Sequence, residues 1–240
     1  MRRNQVLGAI GALVLAAVAA FEGGGLDALL GGASEARQPD RDRQRSRVAA
    51  EAPGDFDYYV LTLSWSPSYC EEEGDRRKSE QCDGGRPYGF VAHGLWPQHE
   101  KGWPEVCAVR ARVPDRTVDK LLPIMPAKGL IYHQWKKHGT CSGLGPRDYF
   151  DTTKAAYDSI VIPKELKALD RALNIDPRVI EAAFIEVNPE IDEDEIVIWC
   201  GRNRLREVRI CLDKALNPRR CGDDVHRECR ARSIRMPPVR

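Results

Sequence analysis

The chain has 240 residues, with 37 Lys and Arg set against 36 Asp and Glu, so its formal net charge at pH 7 is only +1. A balance this close excludes the whole-chain basic field that would by itself mark a polyanion-binding protein. The eight cysteines include no Cys-x-x-Cys pair, which removes the main support for a zinc ribbon.

In chain order, Met1-Arg2-Arg3-Asn4-Gln5 leads into an apolar, small-residue run from Val6 to Phe21 that contains Ala17-Val18-Ala19. A basic start before a short apolar run has the layout of a secretory signal peptide over residues 1–21, and the run is too short for a membrane span. A cleaved leader and an uncleaved anchor both fit this layout; with a cleaved leader the mature chain keeps no stable membrane span. Residues 22–54, including Arg37-Gln38-Pro39-Asp40-Arg41-Asp42-Arg43-Gln44-Arg45, offer little apolar surface to bury and read as a disordered linker. Globular texture begins near Asp55, leaving 55–240 as one domain with a sizeable core. All eight cysteines lie in that body. An even count behind an export signal argues for disulfides in an oxidising compartment, periplasmic or extracellular.

Tyr58 to Trp65 is short and rich in aromatic and β-branched residues, as a largely buried strand requires, and Pro67 stops it. Glu71 to Arg86 reads as a surface loop pinned back by a bridge between Cys70 and Cys82. Tyr88 to Pro97 reads as a second strand, in which Gly94 permits close approach of backbone or ligand. Helical texture starts near Asp115, breaks at Pro123 and Pro126, and returns over Leu130–His138, Pro146–Ile160, Pro163–Leu173 and Pro177–Val187. The last three place a proline near the start, where helices tolerate it. Glu195–Cys200 and Leu205–Cys211 read as strands, the second with mixed polarity. Strands first, helices in the middle and strands last predict an α+β domain with a central, mostly antiparallel sheet flanked by helices. Arginines crowd the stretch from Arg202 to Arg240. They suit attraction of phosphates and equally suit a solvated surface.

Of the five histidines, two fall in Ile131-Tyr132-His133-Gln134-Trp135-Lys136-Lys137-His138-Gly139-Thr140-Cys141. At about 100° per residue, His133, Gln134, Lys137 and His138 fan across about 140° of a helix, with Ile131, Tyr132 and Trp135 turned to the core. Gly139 ends the helix and Cys141 can staple that end. Zinc proteases space their histidines i, i+4 with a glutamate beside the first. Here the spacing is i, i+5, the neighbour is Gln134, and Lys137 would repel a cation, so the segment argues against metal. Imidazoles beside a lysine suit a phosphodiester, whose cleavage needs one group to take a proton, another to give one, and a cation to stabilise the phosphoryl oxygens. RNA supplies its own nucleophile, the 2′-hydroxyl, and needs no cofactor.

Two segments, His93-Gly94-Leu95-Trp96-Pro97-Gln98 and His133 to Cys141, closely resemble the two active-site signatures of the ribonuclease T2 family. Tyr59 to Pro67 resembles that family's first strand. The resemblance covers most of Asp55 to Cys229 and implies the family's α+β fold. It further implies a metal-free, broadly acting, monomeric endoribonuclease on single-stranded RNA, passing through a 2′,3′-cyclic phosphate. On this resemblance His138 is the base and His93 the acid of the first step. His133 holds phosphate, Lys137 stabilises the pentacoordinate transition state, and Trp96 stacks on the base whose 3′-phosphate is cut. Gln134 departs from the family's usual glutamate, which leaves rate and pH optimum open. Gln98 stands where many members carry an acid near the base pocket, which leaves base preference open. The family pattern also implies bridges Cys107–Cys141, Cys200–Cys229 and Cys211–Cys221, with Cys70–Cys82 left over. His99 and His226 lie outside both motifs and receive no role. A nucleic-acid-binding protein that has lost catalysis is the rival that Gln134 raises, and retention of both His93 and His138 argues against it.

Overall fold

A computed structural model of the chain describes residues 52–83, 85–225 and 229–240; the expected signal segment, the linker as far as residue 51, and His226 lie outside the described residues. Strand β1 (Tyr58–Trp65) forms where the run of aromatic and β-branched residues predicts it. Its side chains alternate: Tyr59, Leu61, Leu63 and Trp65 enter the large core, whereas Tyr58 and Val60 join a smaller cluster on the opposite face. Burial on both faces is why this strand reads as a continuous apolar run.

β2 (Phe90–Gln98) and β5 (Arg204–Leu212) flank β1, both antiparallel, and β4 (Ile196–Gly201) pairs antiparallel with β5. Two three-residue strands that the sequence does not announce, β3 (Leu173–Ile175) and β6 (Ile234–Met236), complete the sheet. β3 and β6 pair antiparallel, and β6 joins β5 in parallel through Arg204 and Arg235. The expected mostly antiparallel α+β architecture is therefore present.

Helix α1 (Ser66–Tyr69) carries Pro67 in its first turn, so the proline starts a helix as well as ending the strand. A π-type turn, Cys70–Gly74, and a 3-10 turn, Glu80–Cys82, follow, so much of the expected surface loop is helical. α2 (Asp115–Leu121) and α3 (Lys128–Lys137) form a second core with Tyr149 and Phe150 of α4 (Pro146–Ser159). Ala156 of α4 and Ile180 and Phe184 of α6 (Pro177–Val187) cover the large core. The helix expected over Pro163–Leu173 is reduced to one turn, α5 (Lys164–Lys167), because Leu173 is drawn into pairing with Met236.

Two β-bulges shape the site. Leu63 faces Ala92 and Thr62 faces Gly94, which makes His93 the extra residue of β2. Trp199 faces Glu207 and Cys200 faces Leu205, which makes Arg206 the extra residue of β5. A bulge re-aims the strand, so Leu205 and Val208 both reach the large core while Glu207 and Arg209 point to the other face. This is the physical origin of the mixed polarity read in the sequence.

All eight cysteines are joined, as Cys70–Cys82, Cys107–Cys141, Cys200–Cys229 and Cys211–Cys221, the pairings the resemblance implies. Among the described residues no helix is long and apolar enough to cross a membrane.

Candidate active site

A cavity of about 290 Å³ opens on the face of the sheet opposite the large core. β2 contributes His93, Trp96 and Gln98; α3 and its C-terminal cap contribute His133, Gln134, Lys137 and His138. Every site residue expected from the two sequence motifs thus lines one cavity.

His138 caps α3, its backbone N–H donating to the Gln134 carbonyl at 3.0 Å. Gly139 then turns the chain where a Cβ would collide with the Trp135 ring. The Cys107–Cys141 bridge and a hydrogen bond from the Val106 N–H to the Lys137 carbonyl, 2.9 Å, hold that end in place. The His138 ring is 5% exposed and its Nδ1 has no hydrogen-bond partner. Burial, reinforced by the charges of Lys137, His93 and His133, pulls its pKa down to about 3. Burial and then Lys137 lower His133 as well. Lys137 itself lies 3.4 Å from Glu105, half-exposed.

Trp96 is the centre of the arrangement. Its ring stacks on His138 with centroids 5.1 Å apart and meets His93 edge-on at 5.3 Å, so the two imidazoles flank one indole. Its Nε1 donates to Gln134 Oε1 at 2.8 Å. Gly94 is required beneath this contact, since a Cβ there would collide with both partners. The stacking on a base expected of Trp96 therefore meets a ring already engaged by His138 and by the Arg209 guanidinium, 5.4 Å from its centroid. Trp103, 52% exposed on the same cavity, presents a freer indole.

Two further expectations change. Tyr132, assigned to the core, is exposed, while Gln134 is buried because Trp96 closes over it. The C-terminal arginines are mostly neutralised: Arg204 and Arg235 by Glu71, Arg206 by Glu72, Arg219 by Glu100 and Arg220 by Asp194. Among the described arginines between Arg202 and Arg240, Arg209 is the one that lines the cavity.

Sequence reasoning missed Glu207, Arg209, Trp103 and Asp224. His93 Nδ1 lies 2.8 Å from Glu207 Oε1, and Arg209 donates to Glu207 Oε2 from Nε at 2.9 Å and from Nη2 at 2.6 Å. Burial opposes ionisation of Glu207, but the hydrogen bond and charge of His93, with Arg209, hold its carboxyl below the usual range. Asp224 accepts from the Gly102 N–H beside Trp103. The one available signal was the mixed polarity of β5, in which Glu207 and Arg209 are interleaved with the apolar Val208 and Ile210.

The model of the "Ribonuclease T2 family" matches residues 56–221. A ribonuclease of Aeromonas hydrophila is 44% identical over 97 residues, covering 40% of this chain and 42% of that protein. The chain thus spans under half the length of this relative. Ribonuclease I of Escherichia coli (strain K12) is 31% identical over 209 residues, covering 69% of this chain and 78% of the relative. The solved structure of RNase NT in complex with 5′-AMP superposes with a TM-score of 0.62 at 25% identity, covering 77% of this chain and all of that one. A family match over most of the described body, on a fold that gathers both motifs into one cavity, shows that the chain belongs to the ribonuclease T2 family.

Proposed function

We propose that the protein is an exported endoribonuclease that cleaves single-stranded RNA by acid–base catalysis with His138 and His93. One observation carries this reading: two imidazoles flank Trp96 on one cavity in opposite electrostatic settings. His138 is buried among cationic groups and stays neutral, fit to accept a proton. His93 instead has its Nδ1 hydrogen-bonded to the Glu207 carboxylate.

In the first step His138 removes the proton from the ribose 2′-hydroxyl, and the 2′-oxygen attacks phosphorus. The bond from phosphorus to the 5′-oxygen breaks, and His93 protonates the departing oxygen. A 2′,3′-cyclic phosphate results. In the second step the roles reverse: His93 takes a proton from water, water opens the ring, and His138 returns a proton to the 2′-oxygen, leaving a 3′-phosphate. His133 and Lys137 face the phosphoryl oxygens, and the charge they supply grows in value as the transition state forms. The entering phosphodiester also offsets the cations around His138 and raises its basicity. Trp96, Trp103 and Gln98 line the same cavity; in this reading an indole there stacks on a base and Gln98 hydrogen-bonds a base edge.

Export is supported by four disulfides in the described residues, since such bridges persist in oxidising compartments. Residues 1–21 would be the signal, 22–54 a linker and 55–240 the catalytic domain, acting as a monomer. The test is incubation of purified protein with RNA in EDTA across pH 4 to 8. Cleavage with release of cyclic nucleotides is expected. No cleavage at any pH defeats the proposal, and loss of activity only with EDTA favours a metal-dependent phosphoesterase. His93→Ala and His138→Ala should each remove nearly all turnover.

A further inference from the structure

We infer that Glu207 is a positioning residue for His93: it holds the imidazole through Nδ1, so that Nε2 is the nitrogen that meets the leaving oxygen. The inference rests on the reading of His93 as the acid.

The geometry comes from the two bulges. On β1, Ser64 faces Val91 on one side and Glu207 on the other, so Glu207 lies across a single strand from the bulge that re-aims His93. The contact from Nδ1 to Oε1 is 2.8 Å, and the Glu207 side chain is 7% exposed. Its second oxygen is fixed by two donors of Arg209. Arg209 is in turn held over the Trp199 ring, 4.7 Å from its centroid, and over Trp96. Both carboxylate oxygens of Glu207 are thus engaged.

An ionised carboxylate only accepts hydrogen bonds, so His93 Nδ1 must carry hydrogen. A neutral imidazole has one N–H. With that hydrogen fixed on Nδ1, the proton gained and lost in turnover resides on Nε2, and the catalytic proton passes from Nε2 to the 5′-oxygen without a tautomer change.

The other charges around His93 do not replace this contact. From α3 it faces His133, Lys137 and His138, which are cationic or neutral. Across a second cavity of about 80 Å³, it faces Glu72 and Glu73. Glu72 is paired with Arg206 and Glu73 with Arg77. Among the described residues, Glu207 is the carboxylate hydrogen-bonded to His93.

Glu207→Gln keeps the shape and an acceptor but removes the charge. Its alkaline limb in a pH profile of kcat/KM should move down by about one pH unit, the scale set by one neighbouring charge. At the wild-type optimum kcat should fall about 10- to 100-fold with KM changed far less. An NMR titration of the His93 ring without RNA should show the same downward shift. In wild-type protein the neutral ring should carry its hydrogen on Nδ1. A folded Glu207→Gln protein with an unchanged limb and an unchanged His93 titration overturns the inference. So does a wild-type neutral ring protonated on Nε2, a result that needs no variant to fold. Full turnover in His93→Ala would instead sink the acid role of His93, and leaves the NMR result to judge Glu207 by itself.

Discussion

The indole N–H of Trp96 donates to the side-chain carbonyl of Gln134 at 2.8 Å, which orients the amide. The carbonyl is committed to Trp96, so the group Gln134 offers the cavity is its NH2, a donor suited to a phosphoryl oxygen. Gln134→Glu keeps the Trp96 bond and replaces that donor with a second carboxylate oxygen. The added anion beside His138 should raise its pKa and move the acid limb of kcat/KM to higher pH by about one unit. Turnover at that higher pH should rise. A pH profile superimposable on wild type would show that position 134 does not reach the base.

His138 is pulled down to about 3 by burial and by its cationic neighbours. A base must be neutral to act, and this one loses activity only as pH falls through about 3. In the free enzyme the acid limb of kcat/KM should therefore lie well below that of an ordinary imidazole near 6.5. Bound phosphate offsets the cations, so the acid limb of kcat should lie at higher pH than that of kcat/KM. Initial rates on a dinucleotide from pH 2.5 to 8 measure both. Coincident limbs near 6.5 would contradict the lowered basicity of this ring.

The depressed pKa also carries a stability cost in acid. The unfolded chain binds a proton at this position below about 6.5, whereas the folded chain resists until about 3. Between those values the unfolded state holds more protons, so stability falls as pH falls, by about 1.4 kcal/mol per unit from this one group. Between pH 6 and pH 4 the group should remove about 2 to 3 kcal/mol. His138→Gln has no such group, and its unfolding free energy should be correspondingly flatter over that range in urea titrations.

The sequence makes some of this legible and hides the rest for identifiable reasons. β1 is readable because eight successive residues, Tyr58–Trp65, are mostly apolar or β-branched without Gly or Pro. β3 and β6 are not, because three residues are too few to show alternation and their partners lie far apart in the chain. The two motifs expose His93, His133, Lys137 and His138, since imidazole and ammonium groups so grouped have few structural uses. Glu207 is invisible because a lone acid in a strand reads as a solvated face, and only the pairing across β1 sets it against His93. A helical wheel gives the angle of Gln134 and of Tyr132 but not what covers them. Trp96, from another element, closes over Gln134 and buries it, whereas Tyr132 is left exposed.

The Cys107–Cys141 bridge ties the segment carrying Trp103 and Glu105 to the turn that follows His138. That turn, Gly139–Cys141, is a single buried 3-10 turn packed against Trp135 and Tyr149. Hydrogen bonds from the Val106 N–H to the Lys137 carbonyl, from the Gly54 N–H to the Cys141 carbonyl and from Thr140 Oγ1 to the Lys136 carbonyl add to the bridge. A bridge closing a loop of this size stabilises by roughly 2 to 4 kcal/mol. Replacing both cysteines by serine should lower unfolding free energy by about that amount. Loss of positional control should also act on the site, because His138 sits three residues before Cys141 and a displaced base is a misplaced reactant. The doubly substituted protein, assayed well below its unfolding temperature, should therefore lose about tenfold or more in kcat. Cys70 and Cys82, joined away from the cavity, provide the control: serine at both should reduce stability comparably and leave kcat within about twofold. Equal kcat losses in the two double variants would mean that the effect is general destabilisation and that the Cys107–Cys141 bridge does not position His138.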